Sequence, residues 1–210
     1  MLQIVPGIRI AAPRDEARLR EEFREAVAIE GCPTVVRFPK GAVANEIAQI
    51  RRENDGVDVL HESPAKDVLI VAVGPMAGIG LQVASLLSAQ GIGATVIDPR
   101  WVVPVADSVV RLSASHRLVV TIEDGIKVGG IGTRIRQSLR SAQVDTAVNE
   151  IGIPDEFLEH ASRNEIMERI GLSAQAIARD IVAQVVGAKV PHARPLPESQ
   201  DQDLSRNQQL

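Results

Sequence analysis

The sequence predicts an α/β protein: an open, mostly parallel twisted sheet with helices on both faces, preceded by a short β-α-β piece. Three observations predict it. Residues 67–74 (DVLIVAVG) and 117–124 (RLVVTIED) are continuous apolar runs, the pattern of strands buried on both faces. These runs alternate with helical stretches, the order in which crossover helices wind a parallel sheet. Hydrophobic residues make up 45% of the 210, enough for a packed core, and aromatics only 2%, so that core is aliphatic.

In chain order, residues 8–12 (IRIAA) read as a short strand ended by Pro13, with Asp15 as the N-cap of a helix over 16–30. The apolar positions Ala17, Leu19, Phe23, Ala26, Val27 and Ile29 fall mainly at helical spacing among Arg and Glu, so one face is buried. Gly31-Cys32-Pro33 stops the helix, and residues 34–38 (TVVRF) are β-branched enough for a second strand. Three elements are too few for an independent parallel sheet, so residues 1–41 are expected to be poorly ordered or buried in an oligomer. Residues 42–66 turn polar and charged, with Gly56 and Pro64 as punctuation, and read as a surface linker.

The main domain is expected over 67–186. After the strand at 67–74 come a helix at 76–90 ended by Gly91, a strand at 94–98 (ATVID) and a short helix at 106–115. The strand at 117–124 leads through Gly129-Gly130-Ile131-Gly132 into a helix reaching about Ala142, then a weaker strand at 147–153. Residues 155–169 read as a short helical stretch and 173–186 as the last helix. The tail at 187–210 carries prolines, Gln, Asp and Ser with few apolar residues, and reads as disordered.

Composition excludes several classes. A net charge of −4 and few aromatics leave no electrostatic or stacking footprint for nucleic acid. No apolar run approaches the roughly 20 residues that cross a bilayer, and no basic leader precedes the first turn. One cysteine, Cys32, permits neither an internal disulfide nor a multi-cysteine zinc site. The expectation is a soluble cytoplasmic protein with neither nucleic-acid nor membrane partners.

Among residue types that carry chemistry, Arg100 stands out. It follows Asp98-Pro99 at the carboxyl end of a parallel strand, the edge where open α/β sheets bind ligands, and its planar fork suits phosphate or carboxylate. The alternative is an arginine paired with Asp98 or Asp107. Gly129–Gly132 opens a helix and offers backbone N–H groups to an anion, but tight strand-to-helix packing explains the glycines better. Gly74 to Gly80 lacks the glycine spacing of a dinucleotide fingerprint. Glu123 and Asp124 are neighbours on a strand and point to opposite faces, which favours capping or interface roles over a shared ion. His61, His116, His160 and His192 lie scattered, without ligand or triad spacing. No catalytic residue, metal ligand or cofactor-binding residue is assigned.

Five blocks in order then carry a resemblance: VPGIRIAAPRDEARLREE, PTVVRFPKG, VIDPRWVVPVAD, LVVTIEDGIKVGGIGT and IGIPDEFLEHASRNEIMERIGL. Together they resemble the 1-deoxy-D-xylulose-5-phosphate synthase family, relatives of transketolase, over residues 1 to about 186. The resemblance implies a transferase reaction, the thiamine-diphosphate-dependent condensation of pyruvate with glyceraldehyde 3-phosphate that opens isoprenoid precursor synthesis. It implies that residues 1–41 are the last β-α-β of a pyrimidine-binding domain and 67–186 a transketolase-type C-terminal domain. Arg100 in DPRW then matches an arginine reaching the phosphate of the triose, while Arg37 in RFPKG sits in a turn read as structural.

The family's Gly-Asp-Gly…Asn segment for Mg²⁺ and diphosphate, its ylid-forming glutamate and a His-x-Gly-x-x-Asp segment have no counterpart here. Thiamine diphosphate and Mg²⁺ therefore belong to the full-length family, and this chain is expected to bind neither alone and to be inactive alone. Expected partners are a triose-phosphate-like ligand and either a homodimer or a chain carrying the missing domains. The alternative is a stand-alone module for dimerisation or for binding a phosphorylated metabolite.

Overall fold

The computed structural model describes residues 4–40 and 45–187. The tail expected to be disordered lies, from residue 188 on, outside the described residues. The strands β1 (Arg9–Ala11), β2 (Thr34–Val36), β3 (Arg51–Arg52), β4 (Asp58–Glu62), β5 (Val68–Ala72), β6 (Ala94–Asp98), β7 (Trp101–Val103), β8 (Leu118–Ile126) and β9 (Ala147–Ile153) form two sheets. The helices are α1 (Glu16–Ala28), α2 (Ala77–Ser88), α3 (Asp107–Ala114), α4 (Ile131–Ser141), α5 (Arg163–Arg169) and α6 (Ala174–Val185).

The larger sheet runs β3-β4-β6-β5-β8-β9. β6, β5, β8 and β9 are parallel, and β3 and β4 add antiparallel at one edge. β5 shows why its sequence is apolar throughout. Val68, Ile70 and Ala72 enter a core with α2 and α6, while Leu69, Val71 and Val73 enter a second core with α3 and α4. Side chains of a strand alternate between faces, so a strand covered by helices on both sides has no polar face to offer.

Two sequence expectations need correction. The supposed linker contains β3 and β4, and β4 is a full member of the large sheet: Val57, Asp58 and Val59 have no exposed surface. The β-α-β piece is also less isolated than expected. β7, which the sequence reading passes over, runs antiparallel to β1 and extends the small sheet to the order β2-β1-β7. Ile8, Ile10 and Ala12 share the core of α3 and α4, so this piece packs on the main unit from within the same chain.

Helix ends follow local chemistry. The Asp15 side chain caps α1 by accepting from the Arg18 N–H at 2.8 Å. Of the stretch at 155–169, only Arg163–Arg169 is helical. Its start is fixed by Ser162 and Glu165, which exchange side-chain-to-backbone hydrogen bonds as a capping box.

Candidate functional site

β6 delivers Asp98-Pro99-Arg100-Trp101 to the junction between the small and large sheets. Asp98 is fully buried, and burial pushes its carboxyl up to about 6 against the pull of Arg14, which donates to it at 2.7 Å. The Asp98 carboxylate also accepts from the Arg100 N–H at 2.9 Å. This short turn holds Arg100 in the left-handed region, at φ +57°, where few non-glycine residues sit. The Arg100 carbonyl then accepts from the Ala12 N–H at 2.8 Å, fastening β1 to the turn.

The strained turn aims the Arg100 guanidinium at α1 and away from open solvent. It is 3% exposed. Nη2 lies 2.5 Å from Glu25 and 3.4 Å from Glu21, and Nη1 donates to the Gly56 carbonyl at 3.3 Å. The expected clamp for a substrate phosphate is therefore, in this structure, a guanidinium neutralised by the acidic face of α1. The partners that the sequence suggested for a non-functional arginine, Asp98 and Asp107, are not the ones that pair with its side chain.

Around this turn lies a buried charge cluster. Arg14, 2% exposed, donates to Asp58 at 2.8 Å, to Asp98 and to the Ile47 carbonyl at 3.0 Å. Arg52 completes it with two hydrogen bonds to Asp58, at 2.6 and 3.0 Å. The burial of Arg14 is not legible in the sequence, because its partners lie 44 and 84 residues away.

A second feature is a cleft of about 840 Å³ between the β1–β2 side and the β8–α4 turn, with Arg37, Phe38, Glu123 and Val128 among its walls. Arg37 is exposed over two-fifths of its side chain and donates to the Asp124 carboxylate at 2.5 Å and carbonyl at 3.0 Å; Arg163 reaches the same carboxylate at 3.1 Å. Asp124 thus ties β2, β8 and α5 together, and Arg37 is more accessible than Arg100. Glu123 points the other way and accepts from the N–H groups of Ile131 and Gly132, at 3.1 and 3.0 Å. The start of α4 is thereby filled by the chain's own carboxylate. The glycines there are packing residues: a Cβ on Gly132 would stand 2.4 Å from Thr121 Oγ1, and one on Gly130 2.5 Å from a Glu123 oxygen.

The remaining candidates stay apart. His116 is buried, with Nδ1 against the Leu112 carbonyl at 2.7 Å and Nε2 against Thr95 Oγ1 at 3.0 Å, and burial lowers its pKa. His61 and His160 are exposed, Cys32 is half-buried in a loop, and His192 lies outside the described residues. Among the described residues no three His, Cys, Asp or Glu side chains gather to hold a metal ion. No described helix is long and apolar enough to cross a membrane.

Comparison with known proteins agrees with this architecture. The chain is 67% identical over 197 residues to the 1-deoxy-D-xylulose-5-phosphate synthase of Leifsonia xyli, and 68% identical over 198 residues to that of Clavibacter sepedonicus. Each match covers 94% of this chain and 30% of the relative, so the chain spans about a third of their length. Among solved structures, a chain described as "Split gene transketolase, inactive beta4 tetramer" is 28% identical with a TM-score of 0.77, covering 87% of this chain and 59% of that one. A transketolase of Campylobacter jejuni shares the fold at 18% identity and a TM-score of 0.65, covering 86% of this chain and 27% of its own. Residues 57–177 match the family described as transketolase, C-terminal domain, and that match begins inside the stretch expected to be linker, where β4 begins. With more than half of its length in that match, the chain belongs to the transketolase C-terminal-domain family.

Proposed function

We propose that this chain supplies the C-terminal part of a 1-deoxy-D-xylulose-5-phosphate synthase, serving the thiamine-diphosphate-dependent condensation of pyruvate with glyceraldehyde 3-phosphate. The observation that carries the proposal is identity of 67–68% running across 94% of the chain, through the β-α-β piece as well as the main sheet. In this reading the cofactor, when bound, supplies the electron sink for the carbanion, and other parts of the enzyme hold it. This chain contributes the walls of the β1–β2 and β8–α4 cleft and the junction that fixes one sheet against the other. Arg100 has a positioning role here, holding α1 against the β6–β7 turn, and its role as a phosphate ligand requires that Glu25 release it.

The test is complementation. The chain is expressed with the remaining N-terminal part of the Leifsonia xyli relative, and deoxyxylulose phosphate is measured with both substrates, cofactor and Mg²⁺. Turnover with both polypeptides and none with either alone is expected. Two folded polypeptides that together give no product would reject the proposal, and turnover by this chain alone would reject the division of labour.

A second reading, self-assembly, is favoured by one observation: Phe38, Ile126 and Val128 line the same cleft and are each more than half exposed. A homodimer covering that cleft is compatible with the first reading.

A further inference from the structure

One edge of the larger sheet is β3, Arg51-Arg52, two exposed charged residues that discourage a further strand. The small sheet ends instead at β2, Thr34-Val35-Val36, which is β-branched and half-buried, the composition of a strand inside a sheet. β1 uses only one side of it. The Arg9 N–H donates to the Pro33 carbonyl and the Arg37 N–H to the Ala11 carbonyl, both at 2.9 Å. Backbone groups alternate in direction along a strand, so those of Thr34 and Val36 face away from β1. Among the described residues no strand takes them.

α1 adds an apolar flank on the same side. Thr34 Oγ1 donates to the Ala26 carbonyl at 3.4 Å, which seats the helix on β2. On the flank toward β7, Glu25 accepts from Arg100 and from Trp101 Nε1. Phe23 and Val27, each two residues from Glu25, lie roughly 160° around the helix from it. They are 58% and 72% exposed. With the strand order β2-β1-β7, this flank overhangs the free edge of β2. We propose that the outer edge of β2 and the Phe23–Val27 flank of α1 are one docking surface, and that its occupant is the polypeptide carrying the rest of the synthase. That polypeptide lays a strand beside β2 and an apolar patch over Phe23 and Val27. Backbone hydrogen bonds to Thr34 and Val36 set the register of such a strand, and the two side chains anchor it. The choice of occupant rests on the synthase reading above: a match covering 30% of each relative leaves most of their length to supply the strand. The surface uses neither Arg100 nor the Phe38, Ile126 and Val128 walls of the cleft.

The full chain is co-expressed with the N-terminal part of the Leifsonia xyli relative, and the complex is measured by co-purification and by titration. Phe23→Glu combined with Val27→Lys places a helix-compatible ion pair on the flank and should leave α1 folded, as the unfolding midpoint checks. A complex is expected with the wild-type chain, and the double variant should bind at least about tenfold more weakly. Val186→Lys, which removes an equally exposed apolar side chain beyond α6, should bind as wild type does. In hydrogen exchange the Thr34 and Val36 amides should exchange readily in the chain alone and be protected in the complex. Absence of a complex would overturn the proposal, as would undiminished binding by the double variant or unprotected Thr34 and Val36 amides. Self-association of the chain alone that disappears in the double variant would assign the surface to a second copy and also overturn it. A complex that depends on Phe23 and Val27 yet makes no deoxyxylulose phosphate rejects the synthase reading and keeps the docking surface. Equal turnover with wild type and double variant keeps the synthase reading and rejects the docking surface.

Discussion

Glu22 of α1 is buried beside the Arg100 turn with neither carboxylate oxygen hydrogen-bonded. Its oxygen approaches the Arg100 Nε at 3.7 Å, close enough for charge attraction but too far for a hydrogen bond. Burial pushes the carboxyl up to about 9; the charges of Asp98 and Glu25 push the same way, and Arg100 and Arg14 oppose them. Loss of water and of every donor outweighs the neighbouring cations, so Glu22 holds its proton at neutral pH. An acid whose folded pKa lies above its unfolded value keeps its proton on folding, so the folded state binds more protons between about pH 4.5 and 9, and stability falls as pH rises through that window. Glu22→Gln mimics the protonated form. Urea unfolding should show the variant close to wild type at pH 5.5 and more stable by about 1–3 kcal/mol at pH 8.5. A variant no more stable than wild type at pH 8.5 would show that Glu22 is ionised. None of this was legible in the sequence, where Glu22 is one of several glutamates on a charged helix. For Glu123 and Asp124, strand alternation was enough to read that the two carboxylates point apart, but not which one caps α4.

At the scale of elements, the buried Arg14 joins the loop before α1 to β4 and β6. Removing one member of such a pair strands the other as an uncompensated buried charge, which costs about 3–5 kcal/mol. Arg14→Met should therefore destabilise the chain by that amount at pH 7, measured by urea unfolding. Asp98, already raised to about 6, rises further without Arg14, so the loss should be smaller at pH 5 than at pH 8. Adding Asp98→Asn to Arg14→Met should recover much of the loss; full additivity of the two would mean that they do not interact. The same pairing explains why β4 escaped the sequence reading. The segment DVLHE carries Asp58 at a fully buried position, made tolerable by Arg52 on the neighbouring strand together with Arg14, 44 residues earlier. β7 escaped because three residues after Arg100 show no periodicity, and their partner β1 lies some ninety residues upstream. The central strands were readable because both their faces are covered, which fixes their composition without reference to a distant partner.

For the whole molecule, the sequence carried the fold class and the family resemblance, but it placed the small sheet too loosely and Arg100 too openly. Both departures have one cause: the two sheets share a buried polar junction whose members are scattered along the chain. What the molecule leaves uncovered is the other side of that junction. In the small sheet β2 pairs, among the described residues, only with β1, and Phe38 follows it into the cleft opposite Ile126 and Val128. Apolar side chains gathered at a strand edge are the usual ground for association. The chain should therefore self-associate reversibly, with sedimentation velocity between about 5 and 100 μM showing a mass that grows with concentration. Phe38→Glu combined with Val128→Lys places charges on the exposed walls of the cleft, where folding makes little use of them. The doubly substituted chain should stay monomeric across that range with its unfolding midpoint little changed, because both parent side chains are already mostly in water. A wild-type chain that remains monomeric throughout, or a variant that associates as wild type does, would place the contact elsewhere and leave the cleft as the wall of a site completed by another polypeptide.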